Sequence, residues 1–321
     1  MSVSTNALQV FSGSCNVPLS ESICKYLGVP IAKAAIGRFP DGETRLKLNE
    51  DVRGRDVFIV QPTAPPVNDN LMELLVMIDA AKRASARRIT VVIPYYGYAR
   101  MDRKDEGRVP ITAKLVANLL TVAGAHRVLA LDLHASQIQA FFDIPVDHLY
   151  AAPLIAKAVK AHGLEHAVVA APDAGSIKLA TAYSALLSHK IALVEKRRLS
   201  PERTEVAYII GDVKDQDVLL VDDIVATAGS TIAAANALIE RGARAVYVAA
   251  THAVLCGPAV ERIEASPIRQ FFLSDSIPVE ASRRKLGERL TVVSVAPLLG
   301  EAIRRIHNDA SVSSLFNQFC D

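Results

Sequence analysis

Short apolar runs and longer stretches of helical periodicity alternate along most of the chain. Runs at 8–12, 31–36, 57–60, 89–93, 128–131, 167–170, 191–194, 218–221, 246–250, 270–273 and 290–295 have the length of buried strands. Between them, 21–27, 68–85, 110–123, 151–162, 232–243, 258–263 and 298–307 repeat apolar residues at helical spacing. In 68–85 the inner face is Leu71, Leu74, Leu75, Ile78 and Ala81. Such alternation predicts an α/β protein with mainly parallel sheets. Two stretches also look like copies: 127–134 parallels 217–224, and Ile93-Pro94-Tyr95 parallels Ala171-Pro172-Asp173. We read two similar α/β domains, 1–150 and 151–321, the second about a dozen residues longer between its matched positions.

In parallel sheets, ligands collect beyond the carboxyl ends of the strands. The most informative such place is Val218 to Thr231, VLLVDDIVATAGST. Four apolar residues are followed by Asp222 and Asp223, expected where the strand leaves the sheet. Then come Ala226, Thr227, Ala228, Gly229 and Ser230, leading into a helix. Small residues before a helix N-terminus let a phosphate approach free backbone N–H groups. The paired acids suit sugar hydroxyls, directly or through a cation. A phosphorylated sugar fits both halves.

Other strand ends also carry chemistry. His134 follows the run at 128–131, and Asp173 the run at 167–170; either is also consistent with an ordinary surface residue. Polar and basic residues including Arg100, Met101 and Asp105 follow 89–93, a position that favours anion binding. The turn-rich Arg38-Phe39-Pro40-Asp41-Gly42-Glu43 reads as an exposed loop. There Phe39 is either core or a stacking platform, and Asp41 and Glu43 can accept from an exocyclic amine. Residues 195–204, with Lys196 and Arg198, read as a mobile charged loop whose crowded cations call for anions.

Composition narrows the classes. Of 321 residues half are hydrophobic, enough for a large core, and the net charge of +2 argues for neither nucleic acid nor membrane as partner. No run is long and apolar enough to span a bilayer, and the N-terminus lacks the features of a signal peptide. Cys15, Cys24, Cys256 and Cys320 are scattered, without metal or redox spacing. A cytoplasmic chain with reduced thiols is expected.

The loop at 222–230 resembles the phosphoribosyl-diphosphate loop of type I phosphoribosyltransferases. Together with FPDGE at 39–43, NDNLMELL at 68–75, YARMDRKD at 98–105, RVPITAKLVANLL at 108–120, DLHASQIQAFFDIPVDHLYA at 132–151, PDAG at 172–175 and GDVKDQDVLLVDD at 211–223, the chain resembles class I ribose-phosphate diphosphokinases (phosphoribosyl-diphosphate synthetases) nearly end to end. The resemblance implies a tandem of two type I phosphoribosyltransferase-like domains that moves diphosphate from MgATP to ribose 5-phosphate and releases AMP. It implies ATP contacts at Phe39, Asp41, Gly42, Glu43, Arg100, Met101 and Asp105, the adenine loop coming from a neighbouring subunit. Mg²⁺ would be met by His134 and Asp173, and catalysis would use Lys196 and Arg198. Ribose 5-phosphate would be bound by Arg198, Asp222, Asp223, Ala226, Thr227, Ala228, Gly229 and Ser230. Dimers building a homohexamer, phosphate activation and ADP inhibition are also implied, with Ser136, Gln139, Asp147 and 311–316 near the regulatory site.

The chain departs from the family at Met101 (usually Gln), His148 (usually Asn), Ser176 (usually Gly), Leu179 (usually Arg) and Ala226 (usually an acid). These departures leave room for a weakened enzyme or a non-catalytic partner of an active synthetase. A phosphoribosyltransferase sharing the same loop is a third reading.

Overall fold

The computed structural model describes residues 8–315 apart from 189, 201 and 202, with backbone alone for 195–200 and 203–207. Two compact units result: residues up to Tyr150 joined by the stretch from Ser294, and Ala151–Val293.

The first unit runs β1 (Leu8–Ser12), α1 (Val17–Leu27), β2 (Ala34–Arg38), β3 (Thr44–Leu48), β4 (Asp56–Val60), α2 (Val67–Arg83), β5 (Arg88–Ile93), α3 (Thr112–Ala123), β6 (Arg127–Leu131) and β7 (Val146–Leu149). Five strands form a sheet in the order β1-β4-β5-β6-β7, every neighbour parallel, while β2 and β3 make a separate antiparallel hairpin. All of β4 is buried, as in a strand covered on both faces. Phe11, Val57, Ile59, Val91 and Ile93 share a core with Leu74, Met77 and Ile78 of α2 and Val116 and Leu120 of α3. Helix α1 starts four residues before the expected position. Asn16 caps it by accepting from the Leu19 N–H (3.3 Å), Pro18 suits its first turn, and Gly28 closes it at φ +70°. Strand β2 lies later than the expected 31–36, and β3 was not expected.

The second unit runs α4 (Ala152–Ala161), β8 (Val168–Ala171), α5 (Ile177–Leu186), β9 (Ile191–Ser200), β10 (Arg203–Ile210), β11 (Asp217–Val225), α6 (Gly229–Glu240), β12 (Ala245–Ala253), α7 (Ala259–Glu264), β13 (Ile268–Ser274), α8 (Glu280–Leu286) and β14 (Leu290–Val293). Its sheet has the order β10-β9-β8-β11-β12-β13-β14, parallel except for the β9–β10 pair. Val168, Val218, Leu220, Val246, Val248, Phe271 and Leu273 pack with Ala234, Ala235 and Leu238 of α6 and with Ile263 of α7. The matched strands β6 and β11 occupy equivalent places, one between β5 and β7, the other between β8 and β12.

Two expectations are corrected here. The charged segment expected as a loop continues the backbone of β9 to Ser200 and pairs antiparallel with β10, so each strand satisfies the other's backbone groups. Strand β11 does not end at Val221; it pairs with β12 through Val225.

The sequence reading also gave everything after 150 to the second domain. Instead α9 (Ala296–His307) packs on α1 of the first unit. Gly300 permits the approach, since a Cβ there would stand 2.6 Å from the Tyr26 ring. Tyr26 donates to Glu301 (3.0 Å), which also holds Arg305 (2.8 Å). At the helix end, His307 Nδ1 meets the fully buried Asp56 (2.7 Å). Arg88 grips the same carboxylate through two nitrogens (2.8 and 2.5 Å) and donates to the Ile306 carbonyl (2.8 Å). Among the described residues no helix is long and apolar enough to cross a membrane.

Candidate active site

In the second unit the chemistry sits where β8 stops and β11 continues. Strand β8 pairs with β11 only as far as Leu220, whereas β12 accompanies it to Val225. Asp222 and Asp223 therefore lie on a strand held from one side, partly buried. The Ser176 hydroxyl donates to Asp222 Oδ1 (3.0 Å), as does the Asp223 N–H (3.0 Å). Burial is the largest influence on Asp222 and pushes its carboxyl up to about 7; the charges of Asp223 and Asp173 act the same way, and the Ser176 bond opposes them. Asp173 itself is exposed, its Oδ1 accepting from the Gly175 N–H (2.9 Å) at the start of a short turn.

Beyond β11 the chain makes a tight loop into α6. Ala228 takes the left-handed conformation (φ +58°) and α6 has no side-chain cap. Four successive carbonyls, from the end of β11 into this loop, are occupied by protein donors. Val225 accepts from Leu255 N (3.0 Å), Ala226 from Cys256 N (3.0 Å), Thr227 from Arg262 Nη1 (3.1 Å) and Ala228 from Ile232 N (3.0 Å). The first-turn N–H groups of α6 have no intrahelical acceptor, so the loop presents donors with its acceptors turned aside. Such an arrangement can hold an anion.

In the first unit the 39–43 stretch forms the tip of the β2–β3 hairpin. Phe39 is 47% exposed, with the Arg45 guanidinium 5.9 Å from its ring centre. Phe39 and Glu43 close the turn (2.9 Å), Gly42 sits at φ +95°, and Asp41 accepts from the Glu43 N–H (3.1 Å). The ring is thus exposed and not core. Arg100 and Asp105 are exposed in the segment after β5, and Met101 is partly covered, its carbonyl accepting from Ala113 N (3.2 Å). His134 is exposed just after β6. The preceding turn is fixed by Asp132 at φ +38° and by Leu133, whose N–H donates to His148 Nε2 of β7 (2.9 Å). Gln139 meets His148 Nδ1 (3.2 Å), and Asp147 accepts from Arg127 (2.6 Å). The side chains of Lys196 and Arg198 lie outside the described residues, as do Phe316 and Cys320; the two cations are placed by backbone alone, on β9.

Sequence comparisons bear on both units. The profile for the N-terminal domain of ribose phosphate pyrophosphokinase matches residues 8–124, and that for the phosphoribosyl synthetase-associated domain matches 195–317. A ribose-phosphate pyrophosphokinase of Rhodopirellula baltica is 55% identical over 97% of this chain and 99% of its own. The Clostridium tetani protein of the same name is 52% identical over 97% and 98%. The chain belongs to the ribose-phosphate pyrophosphokinase family. A crystal structure of phosphoribosylpyrophosphate synthetase from Mycobacterium smegmatis agrees, superposing with a TM-score of 0.89 at 39% identity over 95% of this chain and all of that one. The fold is therefore the two-domain, phosphoribosyltransferase-like α/β fold of this pyrophosphokinase family.

Ser176, which the sequence marks only as standing where the resemblance implies Gly, is the donor to Asp222. Arg262 was missed altogether, since a lone arginine on a six-residue helix carries no spacing that marks it.

Proposed function

We propose that this chain transfers the diphosphate group of MgATP to the anomeric hydroxyl of ribose 5-phosphate, with the roles assigned below. The activity follows from full-length kinship at 50–55% identity with proteins named for it. The observation that carries the site assignment is the loop after β11, with its carbonyls occupied and its N–H groups presented.

Thr227, Ala228, Gly229 and Ser230, beside Ala226, would take the 5-phosphate, and Asp222 and Asp223 the ribose hydroxyls. Phe39 would stack on adenine while Asp41, Gly42 and Glu43 read its edge, the hairpin tip reaching the nucleotide of a neighbouring subunit. Arg100, Met101 and Asp105 would complete the nucleotide contacts.

The donor set fits Mg²⁺. Asp173, Asp222 and Asp223 offer hard oxygens of the kind Mg²⁺ takes, and burial, followed by the charges of Asp223 and Asp173, raises Asp222. Among the described residues no three His, Cys, Asp or Glu side chains form a group that could hold a metal ion by themselves. His134 and Asp173 are its proposed contacts, and the ion supplies charge neutralisation at the phosphate oxygens.

The anomeric oxygen attacks the β-phosphorus in line; the bond from that phosphorus to the oxygen bridging the α-phosphorus breaks, AMP leaves, and the hydroxyl proton passes to solvent. Such a transfer needs positioning and cations more than covalent help. Lys196 and Arg198, on β9, would supply that charge, Arg198 also toward the sugar phosphate. We further propose phosphate activation, ADP inhibition, dimers assembling into a hexamer and a cytoplasmic location.

The test is chromatographic. Purified protein with MgATP, ribose 5-phosphate and phosphate should form AMP only when the sugar is present, and Lys196→Ala should abolish it. AMP formation unaffected by Lys196→Ala would remove that residue from the mechanism; no AMP from folded, ATP-binding protein would overturn the assignment as a whole.

A further inference from the structure

Among the four occupied carbonyls from the end of β11 into the sugar-phosphate loop, three accept from backbone and only Thr227 from a side chain, that of Arg262. A backbone donor comes with the fold; this one depends on a single exposed residue of α7. The same guanidinium lies against the start of α6, where a Cβ added at Gly229 would stand 3.3 Å from Nη1.

Two features make this placement unusual. First, a helix N-terminus already carries positive potential, so a cation beside it is repelled unless an anion joins them. Second, without that hydrogen bond the Thr227 carbonyl is free to turn, and an oxygen facing a phosphate repels it. The guanidinium therefore both turns a carbonyl aside and adds charge where the helix is already positive.

We propose that Arg262 is a positioning residue of the sugar-phosphate site, which orients the loop at 227–229 and sets the enzyme's preference for a phosphorylated sugar. The proposal rests on the assignment of 227–230 to the 5-phosphate. It goes beyond that assignment by naming a residue distant in sequence, on another helix, as a determinant of sugar affinity.

Steady-state kinetics on the full-length enzyme test it with three variants. Arg262→Ala should raise KM for ribose 5-phosphate roughly tenfold or more, the scale of a lost charge-assisted hydrogen bond. KM for ATP should stay within about twofold and Tm within about 2 °C, because the removed side chain is exposed. Arg262→Lys, which keeps the charge without the planar fork, should recover part of the loss. Ser230→Ala reads the loop itself. If it raises KM for the sugar while Arg262→Ala does not, the proposal fails and the site assignment stands. If neither variant affects the sugar, the assignment fails and carries the proposal with it. Equal changes in both KM values, or a fall in Tm alone, would reduce Arg262 to a structural residue.

Discussion

Asp222 shows what a single residue hides from its sequence. That two acids stand side by side is plain from the letters; that one is partly buried and accepts from Ser176 is not. Burial, with Asp223 and Asp173 nearby, raises its carboxyl from the ordinary range near 3.8 to about 7. A carboxyl raised by folding contributes stability that is complete at low pH and is lost as pH climbs through that interval. Asp222→Asn should therefore gain stability relative to the parent at about pH 8 compared with about pH 5. Urea melts of both proteins at the two pH values check this, and a pH-independent difference would mean that Asp222 titrates normally. The acids, the small loop residues and Phe39 were picked out as candidates by type and position alone. Ser176 and Arg262 were not, because their partners are defined only by folding, Arg262 bonding a carbonyl 35 residues earlier.

Among elements, legibility followed the strength of the periodic signal. Helix α2 was expected at 68–85 and spans Val67–Arg83, its apolar face repeating over several turns. The far half of β9 and all of β10 escaped notice because an edge hairpin needs only a backbone partner, not an apolar run. Strand β3 does alternate, its Thr44, Leu46 and Leu48 being less exposed than Arg45 and Lys47, but five residues make a faint signal. The β2–β3 hairpin gives a prediction at this scale. A Cβ at Gly42 would touch nothing within 4 Å, yet the residue holds φ +95°, so the effect of a side chain there is backbone strain alone. Gly42→Ala should distort only the tip, at a cost of about 1–2 kcal/mol, raising KM for ATP about fivefold and lowering Tm by about 2–5 °C. Comparing KM for the two substrates decides it; an unchanged KM for ATP would separate the hairpin tip from nucleotide recognition.

For the whole molecule, the two-domain α/β plan was visible in the alternation of strands and helices, but the return of the last helix was not. The contact that secures it joins His307 to Asp56, 251 residues apart, and neither residue is remarkable locally. Arg88→Ala would leave the buried Asp56 carboxylate with His307 and without its bidentate partner, and should destabilise the protein by about 3–5 kcal/mol. Thermal and denaturant melts measure this; a loss under about 1 kcal/mol would show that the buried carboxylate finds other partners. The arrangement also bears on the order in which the protein is made. Chains generally fold domain by domain from the N-terminus as they leave the ribosome. Here the unit begun first needs its closing helix from beyond Ser294, whereas Ala151–Val293 is continuous. The later-encoded unit is thus complete first, and a nascent chain halted after Val293 would expose the face of α1 that α9 covers.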